Sequence, residues 1–276
     1  MGVMQSSVNE IKNSHYLINV KEESEIERLQ VEHHMLRETW RGNFSSPVAQ
    51  KLESGAEVLD VGCGPGTWLF DVASDYPESN FTGYDTIQAY PSFKPFNVEF
   101  CHGDLTLEMP FYKSGRTFDY VHVNSAFFLL SVGKFDINEL VRVVKPGGWL
   151  EICAIDPFIY DTGPIANQTL YNFHEKMRKA QVDLSFVDNL ATILDNTGQL
   201  QSIQHDYRCV SLNRTESQIA RAAAEIEFRW LVTFSVEYLN TPKADFEKNV
   251  EILCAEAESH NSYVKLHRFF CQKILV

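Results

Sequence analysis

Hydrophobic and polar positions along this chain follow two rhythms in turn. Short apolar runs, each closed by a glycine or a polar residue, occur at 58–61, 80–85, 98–105, 118–124 and 149–152. Runs of that length with turn signals at their ends read as buried strands. Between them apolar residues recur at helical spacing, as in Thr67 to Tyr76 and in the stretch leading to Lys145-Pro146-Gly147-Gly148. Before the first strand, Ile26, Leu29, Leu36 and Trp40 are helically spaced behind a Ser24/Glu27 capping box, which predicts an amphipathic helix over 25–41. Later segments predict helices at 165–182 and 187–197, the second stopped by Gly198. A strand follows at 203–212, then helices at about 215–239 and 243–258, and a last strand from Tyr263 to Leu275. Strands alternating with helices predict an α/β fold, a doubly wound Rossmann-like sheet with mostly parallel strands.

The first strand carries the most specific signal. Glu57-Val58-Leu59-Asp60-Val61-Gly62-Cys63-Gly64-Pro65-Gly66 is a buried strand breaking into glycines at alternate positions. Glycine there permits unusual backbone angles and lets a ligand approach the main chain, and the next helix offers free amides. A dinucleotide fingerprint would place its third glycine at position 67, where Thr67 stands. No Lys-Ser/Thr follows, and Asp60 would repel a diphosphate. The loop suits a nucleotide-like ligand with an ammonium or sulfonium charge, and S-adenosylmethionine has both. Asp85 closes the second strand, where a carboxylate can accept from both ribose hydroxyls. Asp104 closes the third and can accept from an adenine amino group, while the Leu105 amide can face a ring nitrogen.

Val58–Trp68, Gly83–Asp85, Gly103–Leu105, Phe118–His122 and Val144–Leu150 together resemble the ordered motifs of class I S-adenosylmethionine-dependent methyltransferases. The resemblance covers about residues 50–155. Tyr16–Asn19 and Trp40–Pro47 are similar to the entry segment of the fungal LaeA/UMTA-like branch. The resemblance implies a leader and helical lid over 1–48 and a methyltransferase domain over 49–276. That domain would divide into a cofactor-binding half (49–156) and a substrate-side half (157–276) with a helical insertion near 213–260 and an antiparallel last strand. The expected cofactor set is Asp60, Gly62, Cys63, Gly64, Gly66, Asp85, Thr86, Gly103, Asp104, Leu105 and Asn124, and S-adenosylhomocysteine is the expected product.

Charge and cysteine usage narrow the picture. A net charge of −13 disfavours nucleic-acid partners, which are held by Lys and Arg on phosphate. No apolar run reaches membrane-spanning length, so no membrane partner is expected. Six cysteines without Cys-x-x-Cys spacing read as reduced core thiols with no metal site. The expected compartment is the cytoplasm, with the nucleus as alternative. Gly2 fits a myristoylation pattern, but no polybasic patch supports it, and the leader reads as disordered.

For the chemistry, His102 and His122 lie in central strands and read as structural, while solvent exposure is expected for His33 and His34. Tyr16, Asn124, Asp156 and His174 are the catalytic candidates. Trp40, Trp68, Phe127, Phe128 and Phe158 are candidates for an acceptor pocket. The expected activity is in-line methyl transfer to an oxygen or nitrogen of a small-molecule metabolite. The alternative is a protein methyltransferase, or a regulatory or non-catalytic member of a fungal secondary-metabolism complex.

Overall fold

The computed structural model of the chain describes residues 23–105, 107–124, 136–237 and 243–275. In chain order the elements are α1 (Glu23–Trp40), α2 (Ala49–Glu53), β1 (Glu57–Val61), α3 (Thr67–Asp75), β2 (Asn80–Asp85), β3 (Val98–His102), α4 (Pro110–Lys113) and β4 (Phe118–Asn124). They continue with α5 (Ile137–Val143), β5 (Val144–Tyr160), α6 (Pro164–Lys179), α7 (Phe186–Asp195), β6 (Leu200–Ser211), α8 (Gln218–Glu237), α9 (Lys243–His260) and β7 (Tyr263–Lys273).

The seven strands lie in the order β3-β2-β1-β4-β5-β7-β6. β1 runs parallel to β2 and β4, β2 to β3, and β4 to β5. The last strand is antiparallel, as expected. Gln272 meets Gln201 while His267 meets His205, so β7 numbers fall as β6 numbers rise. The order reverses beside β1, and in such sheets ligands bind outside the carboxyl ends of the strands at that point.

Two compact units divide the chain. One holds Trp40–Ala154, Ser185–Tyr207 and the chain from His267 onward. Its core lies on both faces of the sheet, because side chains alternate along each strand. Val58 and Tyr120 pack with Leu69 and Val72 of α3 on one face. Leu59, Val61, Val121 and Val123 pack with Leu140, Val143 and Leu190 on the other. Each such fully buried side chain contributes about 1.5–3 kcal/mol of transfer free energy. Gly83 is needed for the helix to approach this closely: an added Cβ would lie 2.7–2.8 Å from Leu69, Phe100 and the Cys63 sulfur.

One buried charge fixes how the chain enters this unit. Glu151, in β5, has no exposure. Its carboxylate accepts from the Ser45 amide (2.9 Å), the Ser46 amide (2.8 Å) and the Ser46 hydroxyl (2.7 Å). Arg268 of β7, also buried, lies 3.7 Å from it, donates to the Gly42 carbonyl and stacks on Trp40. Asn43 in the same segment accepts from the Trp68 indole and donates to Asp71.

The other unit holds the described chain up to Thr39, Ile155–Leu184 and Arg208–Leu266. Phe173 of α6 packs on Trp230 and Phe234 of α8. The first amides of α6 donate to Glu256 of α9, a cap from outside the helix. In α1, Ser24 falls inside the first turn rather than capping it. The buried stripe of α1 is also charged rather than apolar: Glu25, Arg28 and Glu32 are buried and bonded to one another, with His33, Met35 and Leu36. The i, i+3, i+4 pairing of unlike charges lets that stripe be buried without bare ions.

Replacing Glu151 with alanine leaves Arg268 buried without its counter-charge. Urea unfolding should show a loss of about 3–5 kcal/mol, and Glu151→Gln, which still accepts hydrogen bonds, should lose less.

Candidate functional site

The turn after β1 has the expected cradle shape. Gly62, Gly64 and Gly66 all have positive φ, at 75°, 52° and 81°, where a side chain costs about 1–2 kcal/mol. The Gly62 amide donates to the Tyr84 carbonyl at 2.8 Å, tying the turn to β2. A Cβ on Gly62 would meet nothing within 4 Å, so the space above the turn is open. On Gly66 it would lie 2.7 Å from the Phe100 ring, so that glycine is set by packing as well.

Asp85 closes β2 with no exposure. One oxygen accepts from the Gly64 amide and the other from the Ile87 amide, both at 2.8 Å. Burial pushes its carboxyl above the ordinary range, while these two amides pull it down. An ionised carboxylate has about four acceptor sites, so even with the Thr86 amide also bonded to it it retains capacity for a ribose hydroxyl. The Leu105 amide donates to the Thr86 hydroxyl at 3.2 Å, so it is already engaged rather than free for a ring nitrogen. Gly103 follows β3 because any side chain would collide with the Tyr84 hydroxyl.

Asp60 is where the reading of the sequence changes most. Alternation along β1 puts it on the face of Val58, beneath α3, and its oxygen lies 2.8 Å from Nδ1 of His122 in β4. Trp68 stacks on that imidazole, ring centres 3.9 Å apart and 5° from coplanar, so it is packed in the core rather than lining a pocket. The Cys153 sulfur is 3.8 Å from His122 Nε2. Burial, the largest single influence, pulls the imidazolium down, but Asp60 and Cys153 together outweigh it and lift the pKa to about 9. Among the histidines, His122 is buried as expected. His102 is instead exposed and donates to the Thr86 carbonyl, and His33 is buried, while His34 is exposed. Asn124 ends β4 opposite Cys153. Cys63 is buried within the turn, where burial pushes its thiol well up.

Tyr16, Phe127 and Phe128 lie outside the described residues. Asp156, Phe158 and His174 come together in the helical unit. Asp156 accepts from the Tyr160 hydroxyl at 2.6 Å and from the Phe158 amide at 3.1 Å, so both oxygens are engaged. His174 packs on Phe158 and donates Nε2–H to the Pro157 carbonyl at 2.9 Å. That tautomer leaves Nδ1 as an acceptor, and burial lowers the pKa, keeping the ring neutral. Half-buried Glu227 is pushed to about 8, first by burial and then by Glu32, with Arg28 opposing and Asp156 adding. Trp40 lies under Arg268.

Comparison with known proteins agrees with this geometry. A profile described as a methyltransferase domain matches residues 58–148. Over that stretch the chain is similar to a methyltransferase domain. An N-methyltransferase of Clonostachys rogersoniana, verN, is 32% identical over 153 residues, 53% of this chain and 52% of the relative. The secondary metabolism regulator laeA of Coprinopsis cinerea is 26% identical over 233 residues, 74% of this chain and 56% of that protein. The chain thus spans about half the length of the curated relatives it matches. A phosphoethanolamine N-methyltransferase of Haemonchus contortus has the same fold, with a TM-score of 0.51 at 17% identity over 89% of this chain and 57% of that one. Among the described residues no His, Cys, Asp and Glu group could hold a metal ion, and no helix is long and apolar enough to cross a membrane.

Glu227 gives a test by pH. Its folded pKa lies above the carboxylate's unfolded value, so the folded state holds the proton more tightly. Stability should fall as pH rises from about 4.5 toward 8. Glu227→Gln should remove that component and raise Tm at pH 8.5 by about 2–4 °C, the shift for roughly 1 kcal/mol in a chain of this size. Thermal scans of both proteins from pH 5 to 9 check this.

Proposed function

We propose that this chain binds S-adenosylmethionine in the glycine turn and transfers its methyl group to an oxygen or nitrogen of a small-molecule metabolite. The observation that supports the reading is the turn itself: three left-handed glycines at the head of α3, locked to a buried carboxylate at the end of β2. Gly62, Gly64 and Gly66 would take the amino-acid portion, Asp85 the ribose, and Asp104 with Thr86 the adenine. The bound cofactor supplies a sulfonium-activated methyl, so the protein's task is alignment and exclusion of water. A hydroxyl or ammonium acceptor also needs a proton acceptor. Among the catalytic candidates His174 has the bonding for this role, because its donor nitrogen is spent on a carbonyl and its ring stays neutral.

A second reading, a regulator of secondary metabolism acting on protein, is favoured by the laeA relative, whose match extends over 74% of this chain. Assaying metabolite extracts and basic peptides in parallel with labelled cofactor separates the two by which fraction takes up label.

Calorimetry with S-adenosylhomocysteine should show binding to the wild-type chain. Asp85→Ala should weaken it by about 1.5–3 kcal/mol, the scale for unpaired hydrogen-bonding groups. Equal affinity in the variant removes Asp85 from the site, and absence of wild-type binding overturns the function. With His174 as base, kcat should fall on an acid limb that lies below the ordinary histidine range, because burial lowers its pKa. His174→Asn should lose about 10²–10⁴-fold in kcat together with that acid limb.

A further inference from the structure

We infer that His122 is a positioning residue for the cofactor turn, holding the strand before it and the helix after it in register through Asp60 and Trp68. This rests on the reading of the turn as the cofactor site. The turn spans Gly62 to Gly66 and is flanked by Asp60, two residues before it, and by Trp68, two residues after it. His122 binds both flanks at once, the carboxylate through Nδ1 at 2.8 Å and the indole by face-to-face stacking at 3.9 Å. It reaches them from β4, a strand with no residue in the turn. All three side chains are buried, so the contacts are shielded from water and from salt.

The clamp depends on charge. An imidazolium donates a charge-assisted hydrogen bond to Asp60 and presents a cation to the face of Trp68. A neutral imidazole keeps one donor and loses both electrostatic gains. The other groups around the ring are the Cys153 thiol from β5 and the Tyr120 ring from its own strand. Glu151 and Arg268 act on Tyr120, and Cys63 and Asp85 interact with Asp60. With His122 protonated, Asp60 is neutralised by its own partner. Asp60 then braces the turn and is not a direct counter-ion for the ligand.

The sign follows from the raised pKa. The unfolded histidine titrates near 6.5, and the folded one at about 9. The contribution is therefore fully present below pH 6.5 and lost as pH rises through 9. Cofactor affinity should follow it if the clamp sets the turn.

The probe is 5′-methylthioadenosine, which keeps the adenosine and thioether but lacks the amino acid whose own titration would confuse the result. Calorimetry from pH 6.5 to 10.5 on the whole chain should show constant affinity to about pH 8, then a fall of tenfold or more centred near pH 9. His122→Gln, a donor that does not titrate, should bind about tenfold more weakly at pH 7.5 and show no inflection. Tryptophan emission of the ligand-free protein, taken as the difference from Trp68→Phe, should rise with the same midpoint as the imidazolium quencher is lost. Flat wild-type affinity across pH 9, or an unchanged inflection in His122→Gln, overturns the inference. If His122→Gln does not fold, the wild-type affinity and emission curves decide alone. Absence of binding at every pH would instead overturn the cofactor reading on which the inference stands.

Discussion

The burial of a single carboxylate organises the part of this sheet that carries the glycine turn. Glu151 sits in β5 with no contact with water, and a charge in that position must find partners or lose its ionisation. It finds them in the amides of Ser45 and Ser46 and in the nearby Arg268. The segment before β1 is therefore fastened across the sheet rather than laid over it. That fastening places Asn43, whose carbonyl takes the Trp68 indole hydrogen. Trp68 in turn covers His122, and His122 holds Asp60. A continuous line of directional contacts thus runs from β5 round to the strand that begins the glycine turn.

This line explains why the turn can be both open and defined. Glycines at positive φ give room above the backbone, and they also remove the side chains that would hold it still. Order has to come from the flanks: Tyr84 and Asp85 from β2, His122 from β4, and the entry segment through Trp68.

Much of this was legible in the sequence wherever the signal was local. The glycine spacing, the acids closing β2 and β3, and the strand and helix periods are each contained within a few residues. The antiparallel last strand came from the family resemblance, not from any local pattern. What the sequence did not show depends on distant partners. Asp60 and His122 are 62 residues apart, and Ser46 and Glu151 are 105 apart. Asp60 reads as a ligand contact because it adjoins the glycine turn. Its face of the strand, fixed by alternation with Leu59 and Val61, directs it under α3 instead. Trp68 misled in a similar way, since an aromatic beside a cradle reads as pocket lining until its stacking partner is known. The entry segment was noticed by resemblance, and its role as the partner of a buried acid needed the fold. The buried stripe of α1 is built largely from charged residues, so no apolar period marks it.

The packing at Gly83 has a use beyond the fold. Cys63 stands in the glycine turn with its sulfur pressed against a strand that has no side chain at that point, while Cys209 is exposed on β6 and Cys101 is half-buried on β3. A thiol-directed label meets Cys209 and then Cys101, but reaches Cys63 only when the turn lifts off the sheet. The sequence has thus placed a chemical clock inside the cradle. The rate at which the Cys63 thiol is tagged measures how often the turn opens.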